Sequence, residues 1–284
     1  MATAAELIQQ GLHHHRRGEV ALAMDRYTEV LRNDPRNAEA LYYIAVVACQ
    51  EGQFQQGIDL ARRSLSFRPG QARAHNLIGQ ALHRQGEIKE ALAAFDEALE
   101  CDVNFADAYA NRANMLSALG RHAEALSSFD RAVALKPGEA AEWLNRGATL
   151  RAMGRREEAL ASFERALALD ANFALAHFSR AEVLREQRRF EEALAGYDRA
   201  LALAPEAAHA HLARGFALKE LGRLDEALAS VERAIELKGD LPAAHKGRAV
   251  MLTALGRDEE ARAAREQAAD LEAKAAAPAA ASQD

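Results

Sequence analysis

Small and apolar residues return in the same order every 34 positions: GRHAEALSSFDRAVALKP, GRREEALASFERALALDA and GRLDEALASVERAIELKG superimpose residue on residue. Eight copies fit without a gap over residues 4–275, beginning at Ala4, Ala38, Ala72, Ala106, Ala140, Ala174, Ala208 and Pro242. A fixed period of this length marks a stack of supersecondary units, each burying its apolar face only against its neighbours. Repeat position 8 is always small (Gly11, Ala45, Gly79, Ala113, Gly147, Ala181, Gly215, Ala249), and position 20 is Ala in every copy but one, where it is Gly57. Position 24 carries Tyr27, Phe95, Phe129, Phe163 and Tyr197. Small residues where two helices cross let the backbones approach, and the aromatic ring fills the space beside them.

Each repeat therefore reads as a helical hairpin. Gly at position 15 (Gly18, Gly52, Gly86, Gly120, Gly154, Gly222, Gly256) accepts the left-handed conformation that ends the first helix. Pro35, Pro69, Pro137 and Pro205 at position 32 break the second. Repeat 2, with Gly57, Ala61 and Ser64 at its three packing positions, is expected to be the weakest joint.

These columns resemble the tetratricopeptide repeat, with its bulky residue at position 4, small residue at 8, Ala at 20 and 27, aromatic at 24 and Pro at 32. The resemblance implies an all-α fold: a right-handed superhelical solenoid of stacked helix-turn-helix repeats whose first helices line a concave groove. The period places one eight-repeat domain at 4–275, with the last helix acting as cap, and the low-complexity composition of AAAPAAASQD predicts a disordered tail at 276–284. His75, His177, His211 and His245 stand at position 4 where Trp143 fits better, and Arg188 replaces a turn Gly.

Composition narrows the function. The 284 residues carry 36 basic against 42 acidic side chains, with no basic tail, which argues against nonspecific nucleic-acid binding. Cys49 and Cys101 lack paired spacing, as expected of a reducing compartment. No run approaches the roughly 18 apolar residues of a membrane span, and the N-terminus lacks a signal-peptide core. The expectation is a soluble cytoplasmic protein without membrane association, and 30 Arg against 6 Lys suggests a GC-rich bacterial genome.

Catalytic patterns fail one by one. His13, His14 and His15 diverge by about 100° per residue on a helix and cannot converge on a metal. HExxH, GxSxG and phosphate-cradling glycine loops do not occur. The pairs Glu157–Glu158 and Glu191–Glu192 open second helices, where carboxylates suit the positive dipole end. The chain is expected to be no enzyme and to carry no cofactor and no metal.

Two charge and polarity columns remain. Arg112, Arg146, Arg180, Arg214 and Arg248 stand at position 7, and each follows an acid at position 25 of the repeat before: Asp96, Asp130, Glu164, Asp198 and Glu232. Inter-repeat ion pairs fit this pattern, pairing within one repeat fits it nearly as well, and a basic binding ladder is the sharper alternative. Positions 5, 9 and 12 of the first helices share one face opposite the packing stripe, and the resemblance makes this face ligand-binding. Asn76, Gln80, Asn111, Asn114 and Asn145 can bond both peptide N–H and C=O groups; Phe178 and Phe216, beside Leu212, can take apolar side chains; Arg151, Arg185 and Lys219 form a cation row. Dipole compensation alone also explains that row, and packing against a neighbouring helix also explains the aromatics.

The carboxylate clamp of chaperone-binding members is matched by Asn114 and Asn145, but Ala110, Leu175 and Ser179 replace its cations. The Asn ladder of O-GlcNAc transferases is met only at Asn111 and Asn145, although ALASFERALAL runs are also similar to arrays preceding bacterial glycosyltransferase domains. The sequence thus points to a scaffold binding a protein or peptide in its groove. A substrate-recognition array of a transferase and a self-assembling homo-oligomer stand as alternatives.

Overall fold

The computed structural model describes residues 2–276, and among them every regular element is an α-helix. The chain divides into two compact units, Met1–Gly138 and Glu139–Asp284. The first holds α1 (Ala4–Arg16), α2 (Val20–Asn33), α3 (Ala38–Gln50), α4 (Phe54–Phe67), α5 (Ala72–Arg84), α6 (Ile88–Cys101), α7 (Ala106–Ala118) and α8 (His122–Leu135). The second holds α9 (Ala140–Ala152), α10 (Arg156–Leu169), α11 (Ala174–Glu186), α12 (Phe190–Leu203), α13 (Ala208–Glu220), α14 (Leu224–Leu237), α15 (Pro242–Ala254) and α16 (Asp258–Ala276). Ala276 ends α16, and the rest of the expected tail at 276–284 lies outside the described residues.

Within each unit every odd-numbered helix packs on the next even one as a hairpin, and that helix packs on the following odd one. The turn of each hairpin is set by the position 15 column. Its seven glycines have φ between +72° and +85°, where a side chain is strained, and Arg188 is held in the same region at φ +62°. Second helices start differently from first ones. Arg121, Arg155, Arg189, Arg223 and Arg257 each clasp the Glu three residues on with two guanidinium hydrogen bonds of 2.6–2.7 Å, tying the Arg that precedes the helix to its first turn.

The core follows the predicted columns. Tyr27, Phe95, Phe129, Phe163 and Tyr197 are fully buried. A Cβ on Gly79 would come within 2.6 Å of the Phe95 ring, so the helix crossing in repeat 3 needs its glycine. Repeat 2 fills its missing aromatic with other chemistry. The Cys49 sulfur lies against Gly57, and buried Ser64 donates to the Ala38 carbonyl at 2.6 Å while accepting from Gln71 at 3.2 Å. The histidines at position 4 also acquire a role: His75, His177, His211 and His245 each place Nε2 at 2.9–3.3 Å from the carbonyl six residues earlier, pinning the loop between repeats.

Candidate functional site

The position 7 arginines bridge repeats. Arg112 reaches Asp96 and Arg214 reaches Asp198, both at 2.6 Å, while Arg248 lies 3.3 Å from Glu232 and Arg180 lies 3.6 Å from Glu164. A second partner went unread in the sequence. The hydroxyls of Ser128, Ser162 and Ser230, at position 23, accept from Arg112, Arg146 and Arg214 respectively. Ser128 and Ser162 in turn donate to the backbone carbonyls of Glu124 and Glu158. The ladder is a structural register, and its cations face acids and hydroxyls of their own chain.

In the first unit the predicted amides lie on neighbouring first helices. Asn76 on α5 is buried and accepts a 3.0 Å hydrogen bond from the Asn111 amide on α7. Asn114, one turn further along α7, is half-buried, and Gln80, one turn beyond Asn76 on α5, is exposed. These four side chains form a polar strip running across two repeats.

The second unit presents a different surface. Arg151 on α9 bonds Glu186 at 2.8 Å and Glu182 at 3.1 Å, both on α11, and Arg185 grips Glu182 with two bonds of 3.1 and 3.2 Å. The Tyr197 hydroxyl on α12 donates to Glu182 as well. Burial works against the charge of Glu182, but hydrogen bonds from Arg185 and Tyr197 and the charges of Arg185 and Arg151 outweigh it. Its pKa accordingly falls below the ordinary carboxylate value. The Tyr197 hydroxyl is raised by its burial, by that bond and by the Glu182 charge. Lys219 pairs with Glu220 at 2.9 Å. The cation row is thus neutralised from within, by Glu182 and Glu186 at positions 9 and 13 of repeat 6 and by Glu220 at position 13 of repeat 7.

The aromatic pair of this unit is half-buried. Phe178 lies 5.8 Å from the Tyr197 ring, and Phe216 packs into the core of the last two repeats beside Gly247. Asn145 on α9 is half-buried. Among the described residues no group of three His, Cys, Asp or Glu side chains could hold a metal ion, and no helix is long and apolar enough to cross a membrane.

Comparison with known proteins agrees with this geometry. Residues 144–208 and 183–242 match the family described as tetratricopeptide repeat, residues 106–139 match a further model of that description, and residues 79–120 match a TPR repeat model. The chain belongs to the tetratricopeptide repeat family. Residues 18–98 match the family of anaphase-promoting complex, cyclosome, subunit 3.

Among curated relatives of this repeat protein, a probable UDP-N-acetylglucosamine--peptide N-acetylglucosaminyltransferase SPINDLY of Hordeum vulgare is 26% identical over 117 residues. That is 39% of this chain and 12% of the relative. A small glutamine-rich tetratricopeptide repeat-containing protein 2 of Saccharomyces cerevisiae is 29% identical over 103 residues, 36% of this chain and 29% of the relative. The chain therefore spans less than a third of the length of these relatives.

Solved structures share the fold. Pseudomonas aeruginosa pilF superimposes with a TM-score of 0.66 at 22% identity, covering 75% of this chain and 97% of that one. YrrB, described as a TPR protein with an unusual peptide-binding site, superimposes with a TM-score of 0.57 at 23% identity, covering 65% and 95%.

Proposed function

We propose that this tetratricopeptide repeat protein is a non-catalytic interaction scaffold, and that the first-helix face of its first unit takes an extended peptide or protein segment. The observation that carries this reading is the amide strip Asn76, Gln80, Asn111 and Asn114. An extended chain exposes alternating N–H and C=O groups, and carboxamides on successive first helices offer both a donor and an acceptor to each. The peptide-binding site named for YrrB supports the choice of ligand. In the second unit the half-buried Phe178 and Phe216 are the candidate contacts with Asn145. Arg151, Arg185 and Lys219 contribute there through their pairs with Glu182, Glu186 and Glu220.

The test is a Gln80→Ala, Asn111→Ala, Asn114→Ala variant, which spares the buried Asn76. Partners are captured on the wild-type protein, identified by mass spectrometry and titrated against both proteins. Each net hydrogen bond is worth about 0.5–1.5 kcal/mol, so the variant should bind at least about tenfold more weakly with its helical spectrum unchanged. Undiminished binding would remove the strip from the site. A second reading, a substrate-recognition array for a transferase, is favoured by the match to the SPINDLY relative. It predicts that a glycosyltransferase appears among the captured partners.

A further inference from the structure

The first unit contains a cleft of about 550 Å³ at the start of α3 and α5, lined by Tyr42, Tyr43, Arg68, Arg73 and Phe105 together with the carboxylates Glu39 and Asp102. Its aromatic wall is rigid. Tyr43 stacks on buried Tyr27 with ring centres 5.3 Å apart, and Tyr42 stands edge-on to Tyr43 at 5.2 Å. Its cations are unspent. Among the described residues neither the Arg68 nor the Arg73 guanidinium meets an acid or a hydrogen-bond acceptor, and the Tyr42 and Tyr43 hydroxyls likewise have no partner. This contrasts with Arg112, Arg151, Arg180, Arg185, Arg214 and Arg248, each of which faces a carboxylate of its own chain. The two lining acids have local roles: Glu39 lies in the first turn of α3, where the helix dipole favours it, and Asp102 accepts the Asn104 backbone N–H of its own turn.

We propose that this cleft is a recognition site for an acidic residue of a bound peptide segment, its carboxylate held by Arg68 and Arg73 and its neighbouring apolar side chain laid against Tyr42 and Phe105. Two guanidinium forks and two phenol hydroxyls are donors without a partner among the described residues, and charge-assisted bonds to a carboxylate are the strong use of such donors. The Arg73 charge already acts on the Tyr42 hydroxyl, so the cation and the aromatic wall address the same space. The inference rests on the reading that this unit takes an extended segment, and it adds the chemistry of one side chain of that segment.

The experiment uses the full chain and two blocked, fluorescein-labelled short peptides, one alternating Glu with Leu and its twin with Gln for every Glu, followed by anisotropy. The Glu peptide should bind about tenfold or more tightly than its twin, and the preference should shrink at high salt. Arg68→Gln with Arg73→Gln should abolish the preference; both side chains are exposed, so the fold should be kept, and an unchanged circular dichroism spectrum checks this. The Gln80, Asn111, Asn114 variant should weaken both peptides while keeping the preference. Equal binding of the twins, or a preference that survives the arginine substitutions, overturns the cleft. If that equal binding is still lost in the amide variant, the segment-binding reading stands without it. Displacement of the Glu peptide by acetate or inorganic phosphate at comparable concentration would make this a small-anion site and overturn the peptide occupant.

Discussion

Two tyrosines at the same repeat position show how one neighbour decides the worth of a hydroxyl. Tyr197 finds Glu182 at position 9 of its own repeat, whereas Tyr27 finds Leu12 there, and its buried hydroxyl has no partner. Burial and the nearby Tyr43 push the Tyr27 pKa up to about 12. An orphaned buried hydroxyl costs about 1–3 kcal/mol, while a bond to a charged group is worth about 1.5–3 kcal/mol. Tyr27→Phe should therefore stabilise the protein by about 1 kcal/mol in urea unfolding, and Tyr197→Phe should destabilise it by at least as much; the same sign for both would refute this account. Arg188 gives a second case, since a non-glycine residue in the left-handed region bears about 1–2 kcal/mol of strain. Its guanidinium lies 6.0 Å from the Phe190 ring, a contact worth about 0.5–1 kcal/mol at an exposed site. Arg188→Gly should thus raise the unfolding midpoint slightly, and a lower midpoint would show that the ring contact outweighs the strain. The sequence alone identified position 24 as aromatic and position 15 as the turn. It could not show which hydroxyl is satisfied, because that depends on a residue on another helix.

At the level of the helix pair, the arginine ladder sets register between neighbouring repeats through an acid on one side and a serine on the other. Repeats 6 and 8 are the exceptions, with Gly196 and Ala264 in place of the serine, and in repeat 6 the approach of Arg180 to Glu164 is also longer at 3.6 Å. Restoring the missing hydroxyl looks attractive but fails on space: a Cβ at Gly196 would lie 2.8 Å from the Ala181 side chain. Gly196→Ser should therefore destabilise, by about 1–3 kcal/mol as overpacked cores do, despite supplying the hydroxyl. A stabilised variant would mean that α11 and α12 can separate at little cost. A double-mutant cycle on Asp96 and Arg112 should give a coupling of about 1 kcal/mol or less, as their partial exposure dictates, and the same cycle on Glu164 and Arg180 should give less again. The helices were legible because a 34-residue period with glycine and proline at fixed columns leaves their boundaries little freedom. The groove was legible only as a set of columns. Arg151 read as an open cation because the carboxylates that cancel it, Glu182 and Glu186, come into reach only through helix packing, whereas Arg185 finds Glu182 three residues earlier on its own helix.

Across the whole molecule the two units carry the same repeat but distribute their depressed carboxylates unequally. In the first unit hydrogen bonds from His14 and Arg121 lower Glu19 and Glu124. In the second, bonds from Arg155, Arg189, Lys219, Arg223 and Arg257 lower Glu158, Glu192, Glu220, Glu226 and Glu260, and Glu182 lies low against its burial. A carboxylate whose folded pKa is depressed contributes stability that is fully present above its unfolded value. That stability is lost as pH falls through the folded value. Acid should therefore loosen the second unit before the first, with Glu182 prominent because its ion pairs are partly buried where the others are solvated. The molecule supplies its own reporter: Trp143 is its single tryptophan and belongs to the second unit. As pH is lowered below the ordinary carboxylate range, Trp143 fluorescence should shift while part of the helical signal persists, giving two separable steps. Glu182→Gln should lower stability at neutral pH and flatten the first step, since one of the groups whose protonation drives it is gone. A single step in which fluorescence and helicity fall together, unchanged by that substitution, would show that the two units unfold as one and that Glu182 does not govern acid sensitivity.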